Sequence, residues 1–448
     1  MKKNYRSLFR SLLKAYSQDN FENYVNQLLS KDDIDKKCLS NVISSLCGIE
    51  IDFTKDFMDD LKKAISNYSP DQKIVNKVKF CKAECEDSNH KTLCQKSCPF
   101  DAIFINKSTH NAYIDESKCT DCGFCIEACP SGGILDKVEF IPLIDILKSN
   151  TPVIAAVAPA ISGQFGSANI NQLRSAFKKI GFSDMIEVAF FADMLTLKEA
   201  AEFDSHVKNE KDLMITSCCC PMWVGMLKRV YSDLVKYVSP SISPMIAAGR
   251  VLKKLNSNCK VVFVGPCIAK KAEAKDKDIK GAIDFVLTFS ELKDIFDTFN
   301  INPETLEEDI SSEYASKGGR LYARTGGVSI AISEAIEKLF PQKYKLLKIE
   351  HADGIKGCKE MLSKAQNGDI NANFIEGMGC IGGCVGGPKA LVSKELGKEK
   401  VDEFANNSSI KVAIDSTCMA EILGKIGVES IDDFKNRSKA TKLFEREF

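Results

Sequence analysis

Cysteine is the residue that stands out in this chain, 19 among 448 residues, most of them in short runs. In one run, Cys119-x2-Cys122-x2-Cys125-x3-Cys129-Pro130, three thiolates have the spacing that wraps three irons of a 4Fe–4S cube. The fourth, placed before a proline, reaches a second cube. An earlier run, Cys81-x3-Cys85-x8-Cys94-x3-Cys98-Pro99, has looser initial spacings and the same ending. The residues after each ending also correspond, Cys98-Pro-Phe-Asp-Ala-Ile beside Cys129-Pro-Ser-Gly-Gly-Ile. Zinc is the competing metal. Its four-cysteine sites use paired short spacings, and a Cys-x2-Cys-x2-Cys triple is awkward for one tetrahedral ion. Iron–sulfur clusters held this way move electrons.

Three more cysteine groups each follow a strand candidate. Leu213–Ser217 leads into Cys218-Cys219-Cys220-Pro221-Met222-Trp223; Val261–Val264 leads into Gly265-Pro266-Cys267-Ile268-Ala269-Lys270-Lys271. Phe374-Ile375 leads into Glu376-Gly377-Met378-Gly379-Cys380-Ile381-Gly382-Gly383-Cys384. In open α/β sheets ligand sites form outside the carboxyl ends of strands, so three such loops bring distant cysteines together. Cys380 and Cys384 are four apart, and a helical turn would put both on one face. The glycines around them let backbone approach a bulky inorganic group.

The two runs look like the duplicated halves of a bacterial two-cluster ferredoxin. Its crossed pattern assigns Cys81, Cys85, Cys94 and Cys129 to one 4Fe–4S cluster and Cys98, Cys119, Cys122 and Cys125 to the other. Over about residues 76–390 the chain resembles an iron-only (FeFe) hydrogenase, its three loops matching that family's cluster motifs in order. The triple Cys218-Cys219-Cys220 before Pro-Met-Trp is similar to the clostridial group B subclass. The resemblance implies an H-cluster, a 4Fe–4S cube joined through one cysteine to a diiron unit carrying CO, cyanide and azadithiolate. Its cube ligands would be Cys220, Cys267, Cys380 and Cys384, with Cys384 as the bridge and Cys219 facing the active site. Lys270 would donate to a cyanide, and Met378 would pack a thioether against the diiron unit. Ala158, Pro159, Ser243, Pro244 and Pro266 would form the pocket walls. This chain has Gly265 where well-studied relatives carry Met, which suggests looser packing there. Cys218 is extra, read as a small buried residue before a redox-protective one.

Reversible conversion of two protons and two electrons to H2, the activity the resemblance implies, needs protons delivered to a buried metal. Thr196–His206 reads as a helix carrying Glu199, Glu202 and His206 on one face. The family's relay falls on Cys219, Glu199, Ser239 and Glu202. His206 stands where many relatives have Arg, and is either the outer end of that path or a plain exposed residue. Electrons would pass to or from ferredoxin or a similar small carrier. Lys73, Lys77, Lys79, Lys82, Lys91 and Lys96 around the first run would steer an acidic one. Maturation proteins would supply the diiron unit, in an anaerobic setting. The other readings are a hydrogenase-like iron–sulfur assembly or scaffold protein and an H2 sensor.

Positioning these groups requires an α/β domain. Apolar runs at Val153–Ala158, Ile186–Phe191, Leu213–Ile215, Val261–Val264 and Phe285–Leu287 read as strands, with helices at 198–209 and 244–255. The expected fold is a two-lobed α/β H-cluster domain over 149–448, whose strands feed the cluster loops. A ferredoxin-like α+β domain with two clusters covers 76–148, and a small helical region covers 1–75. Leu8, Leu12, Leu13 and Tyr16 recur at helical spacing there, as do Phe21, Tyr24, Val25 and Leu28. Segment 389–448 reads as helical with a strand at Lys411–Ile414. Cys38, Cys47, Cys259, Cys358 and Cys418 fit no ligand pattern and read as structural thiols.

Lys plus Arg equals Asp plus Glu, 61 against 61, which argues against a global field for nucleic acid. No apolar run is long enough to span a membrane. Arg10 and Lys14 interrupt any signal-peptide core after the basic start, so the expected location is cytoplasmic and disulfides are not expected.

Overall fold

A computed structural model of the chain describes all residues except 1–2, 33, 82–84, 87–90, 107, 218 and 312–313, with the side chains of 3 and 4 also outside the description. Lys82 and Cys218 therefore lie outside the described residues.

In chain order the strands are β1 (Val75–Lys77), β2 (Ile103–Ile105), β3 (Ala112–Ile114), β4 (Ile134–Asp136), β5 (Val153–Val157), β6 (Asp184–Glu187), β7 (Met214–Ile215), β8 (Lys260–Gly265), β9 (Phe285–Thr288), β10 (Ile349–Asp353) and β11 (Phe374–Met378). Two parallel sheets carry the larger part: four strands ordered β6-β5-β8-β9, and three ordered β10-β11-β7. β5, β8 and β9 are nearly continuous buried apolar runs, as parallel strands covered on both faces require.

Between the sheets runs the helix Val188–His206, whose residues Val188–Phe203 are all buried. It packs against helices Pro244–Leu255, Lys317–Leu321, Gly327–Leu339 and Ile431–Lys435. This helix corrects one sequence expectation. Strand β6 ends at Glu187, and the apolar run Val188–Phe191 opens the helix instead. A helix buried on every side and a buried strand present the same continuous apolar run. Its end at His206, not 209, follows from the same misplacement. Lys411–Ile414 is not a strand either; a short 3-10 turn occupies Ala413–Asp415.

The cysteine-rich segment is built from antiparallel pairs β1–β4 and β2–β3 and two short helices, Leu93–Ser97 and Phe124–Ala128. Ile74, Val75, Ile103, Ala112, Ile126 and Ile134 form its small apolar cluster, joined by Ile268 from the second cysteine loop. Four helices, Lys3–Ser17, Phe21–Leu29, Lys36–Leu46 and Phe57–Ser66, form the amino-terminal region. Arg6 and Arg10 bind the fully buried carboxylate of Asp294 on helix Phe289–Thr298, tying this region to the α/β part.

The carboxyl-terminal tail also has a structural task. Ile242 N–H donates to Phe444 O, and Arg446 N–H donates to Pro240 O. The tail thus pins the 239–243 segment as an added strand would, while the Arg446 side chain reaches Asp276 and Asp278.

Candidate active site

The thiols fall into three groups. Burial raises the Cys85 thiol, and the charges of Cys81, Cys94 and Cys129 raise it further. Burial pushes Cys122 up to about 12, with Cys119 and Cys98 adding to the shift. Cys125 is raised by burial and by Cys122, Cys119 and Cys98, with Cys94 beyond them. In the α/β part, burial takes Cys384 up to about 12, with Cys220 and Cys267 as its thiol neighbours. Cys380 is raised well above its ordinary value by burial, then by Cys267, Cys220, Cys384 and finally Cys122. Electrostatic adjacency therefore runs unbroken from the first cysteine run through Cys94–Cys125 and Cys122–Cys380.

Backbone amides point at several of these sulfurs. Ala112 N–H donates to Cys81 Sγ at 3.3 Å, Ala102 to Cys98 at 3.3 Å, Asp121 to Cys119 at 3.4 Å and Gly133 to Cys129 at 3.2 Å. Gly379 N–H donates to Cys220 Sγ at 3.3 Å. Such donors stabilise thiolate sulfur and tune an iron–sulfur cluster. Among the described residues no three His, Cys, Asp or Glu side chains come together closely enough to hold a single ion. The donor set fits clusters.

Cys380 and Cys384 do not share a helical turn. Gly382 and Gly383 both adopt φ of 86°, reversing the chain between the cysteines, and a 3-10 turn then starts at Cys384. A Cβ at Gly383 would come within 2.6 Å of Thr325 N and 2.7 Å of Met378 Sδ. That crowding and the positive φ explain the glycine.

An apolar cavity lies beside Cys384. Cys219, Lys270, Ala158, Pro159, Pro244 and Phe263 line it, with Tyr322 and Met245 completing the wall. Met378, Ser243 and Pro266 are not among its lining residues. Met378 is buried with its sulfur against Gly383, Ser243 caps helix Pro244–Leu255, and Pro266 O accepts from Lys389 N–H at 3.0 Å. Gly265 does not loosen the wall. A Cβ there would come within 2.6 Å of the Phe263 ring, so Phe263 fills the space. Sequence reasoning missed Phe263, although two residues apart on one strand share a face.

Lys270 is fully buried and pairs with Glu273 at 2.5 Å. Burial works to lower its pKa, but Glu273 and the Cys267 and Cys384 charges outweigh this and raise it. The Lys-Lys pair divides: Lys271 binds Asp136 and Glu291 and faces away from the cavity.

The long helix carries the candidate carboxyls Glu199 and Glu202, both buried. Neither Glu199 oxygen makes a hydrogen bond, and both are buried. Burial, then the charge of Glu202, pushes its carboxyl up to about 7, although Thr216 and Ser241 face it and oppose the shift. Ser239 Oγ donates to Glu202 Oε2 at 2.6 Å. Two partners were absent from the sequence reading, Lys198 and Ser241. Lys198 Nζ lies 2.5 Å from Glu202 Oε1 and 3.1 Å from Ser241 Oγ. His206 is exposed, and its Nδ1 meets the Glu202 backbone carbonyl at 2.9 Å, not the carboxylate. Of the basic patch, Lys73 is turned inward to Asp121 beside Cys119, and Lys77 Nζ donates to Cys81 Sγ at 2.7 Å.

Strand-end cysteine loops beside a cysteine-rich module are the arrangement of an iron–sulfur protein. Residues 151–388, more than half the chain, match the family model described as "Iron only hydrogenase large subunit, C-terminal domain", and residues 112–135 match a 4Fe-4S binding domain. The chain belongs to the iron-only hydrogenase large-subunit family.

Iron hydrogenase 1 of Clostridium pasteurianum is 29% identical over 394 residues, covering 67% of this chain and 68% of that protein. NADP-reducing hydrogenase subunit HndD of Solidesulfovibrio fructosivorans is 26% identical over 329 residues, covering 61% of this chain. The chain spans only 56% of the length of HndD. Cytosolic iron-sulfur assembly component 3 of Rattus norvegicus is 21% identical over 365 residues, covering 66% of this chain and 76% of that protein. The structure of an FeFe-hydrogenase HydA that reports stepwise H-cluster assembly superimposes with a TM-score of 0.56 at 22% identity, over 68% of this chain and 97% of that one. That likeness is one of fold.

Proposed function

We propose that this protein is an FeFe hydrogenase, similar to the clostridial group B subclass, that interconverts two protons and two electrons with H2. Cys220, Cys267, Cys380 and Cys384 would hold the cube of an H-cluster, and the apolar cavity that Cys384 lines would receive the diiron unit. When bound, the diiron unit supplies the metal site at which H2 is formed or split. The protein's own groups do the rest. Lys270 presents a buried ammonium at the cavity wall, the apolar lining excludes water, and Cys219 passes a proton to or from Glu199. Ser239 and Glu202 extend that path toward the surface. Electrons would travel through two 4Fe–4S clusters in the cysteine-rich module to ferredoxin or a similar small carrier, in the cytoplasm, after maturation proteins have delivered the diiron unit.

One observation carries this reading: the helix whose residues Val188, Ala189 and Ala192 line the cavity together with Cys219 and Cys384 also carries a buried carboxyl without a hydrogen bond, Glu199. A carboxyl buried at this cost and poised near neutrality suits proton transfer, whereas holding a passive cluster needs none. The assembly-factor relatives favour a second reading, a scaffold without H2 chemistry. Iron quantitation with infrared spectroscopy after maturation separates the two. The hydrogenase reading expects bands in the CO and cyanide stretching region together with H2 turnover. Iron bound as cubes alone, with no such bands, would leave the scaffold.

A further inference from the structure

Lys198 is a cation that neither cluster binding nor a chain of carboxyls and hydroxyls requires. It is 1% exposed, and its Nζ donates to Glu202 Oε1 and Ser241 Oγ. An ammonium only donates, so Ser241 Oγ accepts from it. Ser239 Oγ gives its hydrogen to Glu202. In the 2.8 Å contact between Ser239 and Ser241, Ser241 must therefore be the donor. The hydroxyl hydrogens of Ser241 and Ser239 then run in one direction, toward Glu202.

Two carboxyls three residues apart on one buried helix face cannot both ionise without a counter-charge. The helix supplies one, and it touches only Glu202. We propose that Lys198 is a positioning residue that holds Glu202 as the carboxylate, leaves Glu199 as the carboxyl that carries the proton, and orients Ser241 and Ser239 for transfer from Glu199 outward. In one such transfer Glu199 gives its proton to Ser241, Ser241 gives its own to Ser239, and Ser239 gives its own to Glu202. No electron moves. The transfer leaves Glu199 ionised and Glu202 protonated beside Lys198, from where the proton goes on to water.

The other charged groups around this helix are already partnered. Asp204 pairs with Lys435 at 2.8 Å on helix Ile431–Lys435, Asp193 binds Ser316 before helix Lys317–Leu321, and Glu187 binds Arg320. Thr216 faces Glu199 from the loop after β7, and His206 Nδ1 meets a backbone carbonyl at the outer end. Lys198 is thus the cation in contact with the Glu202 carboxylate.

The relay direction rests on the hydrogenase reading; the electrostatic assignment does not. The test follows the stretching band of the protonated Glu199 carboxyl by infrared difference spectroscopy across pH, with the band identified by its loss in Glu199→Gln. Lys198→Gln removes the charge and keeps donors for Glu202 and Ser241. It is expected to raise the midpoint of that band by about 1–3 pH units and to move the pH profile of H2–water isotope exchange the same way, while Lys198→Arg restores both. An unmoved midpoint in Lys198→Gln overturns the proposal. Should that variant fail to fold, Lys198→Met is measured in its place, where a raised midpoint supports the assignment and an unmoved one overturns it. A wild-type protein without CO and cyanide bands whose carboxyl midpoint still moves with Lys198 would sink the hydrogenase reading alone; an active enzyme with an unmoved midpoint would sink this assignment alone.

Discussion

Glu199 links stability to proton chemistry. A carboxyl deprived of water and of hydrogen bonds keeps its proton to higher pH, here about 7 against an ordinary 4.5. Below the unfolded value both states are protonated and the native state carries no penalty. As pH rises from there, the unfolded chain gives up the proton while the native one holds it, so stability falls until the native group also ionises near 7. The shift corresponds to about 3 kcal/mol. Melting temperatures of wild type and Glu199→Gln should therefore diverge between about pH 5 and about pH 8, with wild type losing stability that the variant keeps. Parallel curves would mean that Glu199 is not buried unpartnered. The same substitution is expected to lower H2 turnover by about 100-fold or more with iron content unchanged, since glutamine cannot relay a proton. Turnover near wild type would remove Glu199 from the path.

At the level of elements, glycines decide how closely the cysteine loops approach. β11 lies flat on Trp223: a Cβ at Gly377 would come within 2.1 Å of the indole ring. Trp223 is buried and gives its Nε1–H to Thr216 O at 2.7 Å, so one ring fixes both the loop bearing Cys219 and Cys220 and the strand leading to Cys380. Gly377→Ala should force these apart, costing roughly 1–3 kcal/mol and lowering the iron bound per chain; thermal denaturation and iron analysis check the two effects together. The approach of three strand ends was legible in the sequence, because apolar runs followed at once by cysteine, proline and glycine mark parallel strands feeding loops. What was not legible depended on partners distant in the chain. Only Ile186 and Glu187 of the strand expected at Ile186–Phe191 are strand; Val188–Phe191 are helix because Val188–Phe203 is enclosed on all sides. Gly265 suggested slack that Phe263 takes up, and the partner that Lys198 finds in Ser241 lies on the 239–243 segment, held by the tail at Phe444 and Arg446.

On the scale of the whole molecule, equal numbers of acidic and basic residues conceal a buried ion network that binds the cysteine-rich module to the α/β part. Lys271 is completely buried and donates to Asp136 Oδ2 at the end of β4, to Lys137 O at 2.5 Å, and to Glu291 Oε1 at 2.6 Å on helix Phe289–Thr298. Burial opposes its charge, but Glu291, Asp136 and Glu139 outweigh that and raise its pKa. Lys389, just beyond the third cysteine loop, adds a second cation to Asp136 at 3.5 Å and reaches Glu127. One carboxylate of the module is thus gripped from two loops that carry candidate cube ligands, which holds the cysteines of the module in register with those of the loops. Removing the lysine leaves Asp136 and Glu291 facing each other with less than full compensation, a loss of about 3–5 kcal/mol for a broken buried pair. Lys271→Met is therefore expected to lower the melting temperature and to open the joint, exposing the 136–139 segment to limited proteolysis before the α/β part is cut. Lys271→Met combined with Asp136→Asn and Glu291→Gln removes the stranded charges and should recover most of the stability. A single variant as stable and protease-resistant as wild type would show that Lys389 and the apolar contacts hold the joint without Lys271.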